Sequence, residues 1–258
     1  MSGRGLILAN WSHESRVVTV TGLMVLAAGA VGDVSIAPQP KYVQVADGEI
    51  ILPKPITVVV KDDCVGRDRT APRQLAAHIQ ALTGDHPRKT AARRFAEHRP
   101  ALIVGEAGRN AAVDRVRSQY PGRPEPPADE PEGFAISTGP YGVLVEGNSP
   151  AATFYGTQTL MQYLTSRNRQ LVCRQITIID QPDFPLRVAM LGIWGPGAGE
   201  VTNMDFPFAK QLIRDLISPS RYNAVLISAK FRYESHPEAG HLYPDVKNDL
   251  RELLTTAE

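Results

Sequence analysis

The sequence predicts an α+β fold: a mostly antiparallel sheet with helices packed on one face, followed by an incomplete β-α-β unit of the TIM-barrel type. Three observations predict it. Short β-branched runs alternate with amphipathic stretches over residues 34–181, and two of these runs are joined by a tight Gly-Pro turn. Composition then changes at Asp180-Gln181-Pro182-Asp183-Phe184-Pro185. Beyond that seam come a strand, a helix and a second strand, too little for a barrel of about 250 residues.

The elements follow in order. Pro38-Gln39-Pro40 and an Asp47-Gly48 turn frame an extended lead-in. Ile56 to Val60 is almost entirely β-branched and lies between Pro55 and Lys61-Asp62-Asp63, so it reads as a strand. Leu75, Ala76, Ile79 and Leu82 recur at helical spacing, and Thr83-Gly84 supplies the stop. Ala101 to Val104 is the next strand, ending at Gly105, and residues 111–118 suit a short helix. Pro121, Pro124, Pro126 and Pro127 cannot continue that helix, because each lacks an amide donor and fixes φ. They make an exposed loop that runs on to Glu132.

Phe134 to Ser137 and Val143 to Glu146 pair as a hairpin around Thr138 to Gly142. Ala151 to Leu164 is helical, with Phe154, Thr157, Leu160, Met161 and Leu164 on one arc, and Leu171 to Ile179 returns as a strand. Past the seam come a strand (Leu186 to Leu191), a glycine-rich turn (Gly192 to Gly199), a helix carrying Phe208, Leu212, Leu216 and Ile217, and a strand (Ala224 to Ile227).

At the N-terminus Arg16 precedes an uncharged apolar stretch, Val17 to Leu26, and small residues follow at Ala28-Gly29-Ala30. These are the parts of a secretory signal peptide, so residues 1–32 are expected to be a leader and the mature chain secreted or periplasmic. The stretch is short of the roughly 20 apolar residues a membrane span needs.

Of the 258 residues, 21% are charged and the formal net charge is +1, which leaves no footprint for nucleic acid. The densest basic cluster, Arg88-Lys89 with Arg93-Arg94, reads as a solvated helix face or loop. Cys64 and Cys173 give neither a disulfide framework nor a metal-ligand spacing. A single bridge in an oxidising compartment and two half-buried free thiols both remain open.

Several of these segments together resemble a known family. Glu132-Gly133-Phe134-Ala135-Ile136, Gly142-Val143-Leu144-Val145, and the helix carrying Phe154-Tyr155-Gly156 and Gln158-Thr159-Leu160 look like the N-terminal, non-catalytic domain of glycoside hydrolase family 20 β-N-acetylhexosaminidases. Leu82-Thr83-Gly84 is similar to the first half of that domain. Asp180, Pro182, Phe184 and Arg187 resemble the family's lead into its catalytic barrel. The similarity spans Pro38 to Asn223, and related domains occur in family 84 enzymes and α-glucuronidases.

The resemblance implies three parts: a leader at 1–32, an α+β domain at 34–181, and the truncated start of a glycosidase barrel at 182–258. Family members let the substrate's own acetamido oxygen attack the anomeric carbon, helped by an Asp-Glu pair after the fourth barrel strand. This sequence offers no counterpart to that pair, so no catalytic residue is assigned. Asp129-Glu130 repeats the dipeptide, but in the proline-rich loop, where solvent is its expected neighbour.

For Arg187 the resemblance implies hydrogen bonds to hydroxyls of a terminal amino sugar, a task that suits the rigid guanidinium fork. The residues alone read equally as an interdomain ion pair. Arg232, Glu234 and His236 stand where the family carries an acidic pair; they would line a different pocket mouth only in a finished barrel. No metal or other cofactor is implied, His236 having no companion ligands.

The expected function is therefore the N-terminal region of a hexosaminidase-like glycoside hydrolase, not catalytic by itself. A standalone carbohydrate-binding accessory module is the alternative, and a barrel completed by a partner chain a third reading. Val188 to Leu191 and Ala224 to Ile227 are expected to leave apolar surface uncovered.

Overall fold

Alternating residues on the parallel strands of the sheet feed two separate cores, one on each face. The structure is a computed structural model and describes residues 36–96, 99–193, 206–229 and 251–252. The expected leader lies outside these residues. The strands of the main sheet are β1 (Tyr42–Ile51), β2 (Thr57–Val60), β3 (Arg88–Ala91), β4 (Ala101–Gly105), β5 (Phe134–Gly139), β6 (Gly142–Gly147), β7 (Thr165–Arg167) and β8 (Gln170–Asp180). They run in the order β1-β8-β5-β6-β4-β2-β3, with β7 also on β8. Pairs around β8 and β5 are antiparallel, whereas β6, β4, β2 and β3 lie parallel. The α+β class therefore holds, with a parallel half that the sequence reading did not anticipate.

Helices α1 (Thr70–Thr83) and α3 (Pro150–Met161) cover one face, where Leu75, Ile79 and Leu160 pack on Val58, Leu102, Val143 and Val145. Helix α2 (Ala111–Gln119) covers the other, where Val113 and Val116 pack on Val59, Ile103 and Leu144. Neighbouring strand residues point to opposite faces, so Val58 and Val59 serve different cores. The helices are thus split between the two faces, because β2, β4 and β6 are apolar at consecutive positions and need cover on both sides.

Local chemistry explains the boundaries. Gly84 ends α1 with φ 78°, the left-handed cap expected of it. Asn110 and Ser149 cap α2 and α3 by accepting the amides of Ala112 and Ala152, and Pro150 follows at the first turn, where its missing donor costs nothing. Gly142 sits at φ 102° against the backbone of Ala101, where a side chain has no room.

The basic cluster is an edge strand and a 3-10 turn rather than a helix face or loop. Arg88 and Lys89 lie in β3, which pairs in register with β2, and Arg93 bonds to Asp62. Charged side chains on such an edge discourage further strand pairing.

Past the seam, β9 (Val188–Ile193) and β10 (Ala224–Ala229) pair in parallel, and α4 (Phe206–Leu212) continues into a π-turn at Ile213–Ile217. Leu191, Ala209, Ile213 and Ile217 form a small third core with Ala189, Val225 and Ile227 at its margin. The alternate residues face away from α4: Met190 is 68% exposed and Leu226 55%. Among the described residues, one face of this unit is packed and the other exposes the apolar side chains of Met190 and Leu226.

Candidate functional site

Segments far apart in sequence meet where the sheet joins the β9-α4-β10 unit. Glu132 ends the proline-rich loop, Phe134 opens β5, Tyr155 lies mid-helix in α3, and Asp180 closes β8. From the other side come Arg187, immediately before β9, and Arg221, shortly before β10. These elements belong to one compact unit, Val34–Glu258.

Arg187 spends its guanidinium inside this joint. Nη1 donates to Oε2 of Glu132 at 2.8 Å and to the Phe184 carbonyl at 2.6 Å, and Nε donates to the Arg221 carbonyl at 2.7 Å. The group lies over the Tyr155 ring, 5.3 Å from its centroid, a favourable cation–π placement. The Tyr155 hydroxyl approaches Oε1 of Glu132 at 3.4 Å. Burial pushes the Tyr155 phenol up; the Glu132 carboxylate adds to this and the Arg187 guanidinium opposes it.

Arg221 makes a second, more deeply buried set of contacts. Its Nη1 donates to Oδ2 of Asp180, and Nη2 donates to the Pro38 carbonyl at 2.9 Å. The guanidinium lies 5.4 Å from the Phe134 ring centroid. Oδ1 of Asp180 accepts the Lys41 amide at 3.1 Å, so each carboxylate oxygen has a donor. Asn223 ties the two lead-ins, its Oδ1 accepting the Arg187 amide and its Nδ2 donating to the Pro185 carbonyl.

The proline-rich loop is only partly exposed, Arg123 and Pro126 being buried, and it delivers Glu132. Asn148 Nδ2 donates to the carbonyls of Pro127 and Glu130, and the Asn148 amide donates to Gly133. Arg123 reaches the buried Glu146 carboxylate at 2.8 Å, and Arg117 pairs with its other oxygen. Burial pushes the Glu146 carboxyl up, opposed by these two guanidinium groups.

Arg187, the candidate substrate-binding residue, therefore stands at the start of β9 and not at its end. The contacts Arg187 makes here are those of an ion pair between elements. Asp129 is exposed in the loop, with Glu130 half-buried beside it. Arg232, Glu234 and His236 lie outside the described residues. Among the described residues no group of three or more His, Cys, Asp or Glu is placed to hold a metal. No described helix is long and apolar enough to cross a membrane.

Sequence reasoning missed Arg221 and the roles of Glu132 and Asp180. The two carboxylates lay in plain sight within the motif segments; only a pairing partner was lacking. Along β9 a cleft of about 640 Å³ is lined by Arg187, Val188, Met190, Leu212, Leu216 and Tyr222.

Comparison with known proteins bears on the whole arrangement. The model of glycosyl hydrolase family 20, domain 2, matches residues 33–181. Among solved structures, the N-acetyl-beta-hexosaminidase of Streptomyces plicatus, in complex with Thio-NAglucal, is similar with TM-score 0.61 and 20% identity. That match covers 86% of this chain and 43% of that one. The chitobiase of Flavobacterium johnsoniae matches with TM-score 0.62 and 18% identity, covering 86% of this chain and 32% of that one. CpGH84D matches with TM-score 0.65 and 15% identity, covering 88% and 36%. The chain thus spans less than half the length of these structures, and at such identities the likeness is one of fold. No curated protein sequence matches the chain. The family model covers more than half of the sequence, and its span takes in the sheet and three helices that hold Glu132, Tyr155 and Asp180: the chain belongs to glycosyl hydrolase family 20, domain 2.

Proposed function

We propose that this chain supplies the N-terminal, non-catalytic part of a β-N-acetylhexosaminidase-like glycoside hydrolase that acts on amino-sugar glycans. Residues 34–181 are the accessory domain, and the β9-α4-β10 unit is the first turn of a (β/α)8 barrel. The parallel pairing of β9 with β10, helix on one face and bare apolar side chains on the other, carries this reading. A barrel strand has that character, its inward residues packing against strands from around the ring. The reach of the structural matches supports it: 86% of the chain is more than residues 33–181 make up.

In this reading Arg187 fastens the barrel's first strand to the accessory domain, and sugar is held elsewhere. The carboxylate pair that orients the acetamido group and moves the proton follows a fourth strand in the family, so residues 1–258 do not turn over substrate. Residues 1–32 act as an export leader.

The test is release of 4-nitrophenol from the β-N-acetylglucosaminide by the purified chain, beside a full-length hexosaminidase. No release is expected. Release that survives repurification would refute the reading. Retention on a chito-oligosaccharide column without turnover would favour the standalone binding module.

A further inference from the structure

Arg221 is a non-glycine residue at φ 63°, a left-handed conformation in which its Cβ crowds the following carbonyl. At that point its backbone and its side chain are both used. The carbonyl accepts from Arg187 Nε, while the side chain turns into the seam towards Asp180, Pro38 and Phe134. A single residue so joins the lead-in to β1, the first residue of β5, the last residue of β8, and both strands of the second unit. Asp180 and Arg221 side chains are 2% and 6% exposed, an ion pair shielded from solvent on both sides.

We propose that Arg221 is the positioning residue of this joint: with Asp180 it fixes where β9 and β10 start on the sheet, and hence where their C-terminal ends stand. Glycine would satisfy the backbone at this position more cheaply, so an arginine here is explained by its side chain. Asp180 is already supplied with the Lys41 amide, and its second oxygen is left for a donor from the other unit. Arg187 then takes its orientation partly from the Arg221 carbonyl. The inference leans on the barrel reading only for what the far strand ends do.

Amide hydrogen exchange on the 258-residue chain tests it. In Arg221→Ala, exchange of β9 and β10 amides is expected to rise about tenfold or more, while β4, β5 and β6 keep their protection. Arg221→Gly separates backbone from side chain: it is expected to lose protection as Ala does, and Arg221→Lys to recover part of it. Asp180→Asn should reproduce the Ala pattern in a chain whose turn is intact. Full protection in Arg221→Gly would overturn the proposal, since the residue would then serve the turn alone. So would equal loss across β4 to β6, which would mark a general fold defect. Neither result depends on glycosidase activity, so this inference and the proposed function fail separately.

Discussion

Glu132 and Arg187 are 55 residues apart in sequence and 2.8 Å apart across the joint, Oε2 accepting from Nη1. Both are only partly exposed, and Arg187 also satisfies two backbone carbonyls. Removing the guanidinium leaves a half-buried carboxylate and those carbonyls without their donor.

Arg187→Ala is therefore expected to lower stability by about 2 to 3 kcal/mol, and Glu132→Gln, which keeps an acceptor, by about 1 kcal/mol. Chemical denaturation of the purified variants checks this. An Arg187→Ala chain with an unchanged midpoint would return Arg187 to the substrate-binding role that its resemblance first implied.

Gly156 lies in α3 where the helix presses on the sheet. A Cβ there would stand 2.7 Å from Cγ1 of Val145 and 3.0 Å from the Phe134 ring, both in fully buried side chains. Alanine gains about 1 kcal/mol in helix propensity, but overpacking a filled core costs about 1 to 3. Gly156→Ala is expected to be net destabilising, by about 1 kcal/mol, with the midpoint of thermal unfolding as readout. A gain in stability would mean that α3 stands off the sheet.

The hairpin of β5 and β6, the helices α1, α2 and α3, and the β9-α4-β10 unit were legible because hydrophobic period and turn residues agree locally. What was not legible depended on partners. Strand β1 is largely exposed and has no apolar alternation, so only its register with β8 makes it a strand. Arg88 to Ala91 is polar at its start and becomes β3 by pairing with β2. In α3 the expected arc held Thr157 and Leu160, yet Ala152, Thr153, Tyr155, Gln158 and Thr159 are buried as well. A helix covered nearly all round has no single stripe to read. Arg221 escaped for a similar reason. Nothing local distinguishes it, and its significance comes from Asp180, 41 residues earlier.

The cysteines are both free, Cys64 half-buried and Cys173 buried. Burial pushes the Cys173 thiol up to about 12, so almost none of it is thiolate at neutral pH, and the thiolate is the reactive form. Cys64 is shifted the same way, chiefly by burial and then by Asp68, though it stays within reach of solvent. Titration with a disulfide reagent should find two thiols in denaturant. In the native chain it should find Cys64 reacting slowly and Cys173 only as the protein opens. Finding no thiols in denaturant would restore the single-bridge reading.

The bare face of β9 and β10 makes the last prediction. Met190 and Leu226, both exposed, lie on the side away from α4, and Val188 stands beside them. Contiguous apolar surface of this kind drives association unless something covers it. The purified chain is expected to self-associate as its concentration rises and to bind a hydrophobic dye. Met190→Lys with Leu226→Lys should reduce both. Because neither side chain contributes to the packed side of the unit, stability should change by no more than about 0.5 kcal/mol per site. Sedimentation velocity across a concentration series decides the matter. A wild-type chain that stays monomeric and dye-free would mean that the face is covered from within, and it would weaken the barrel reading, which requires this surface to await further strands.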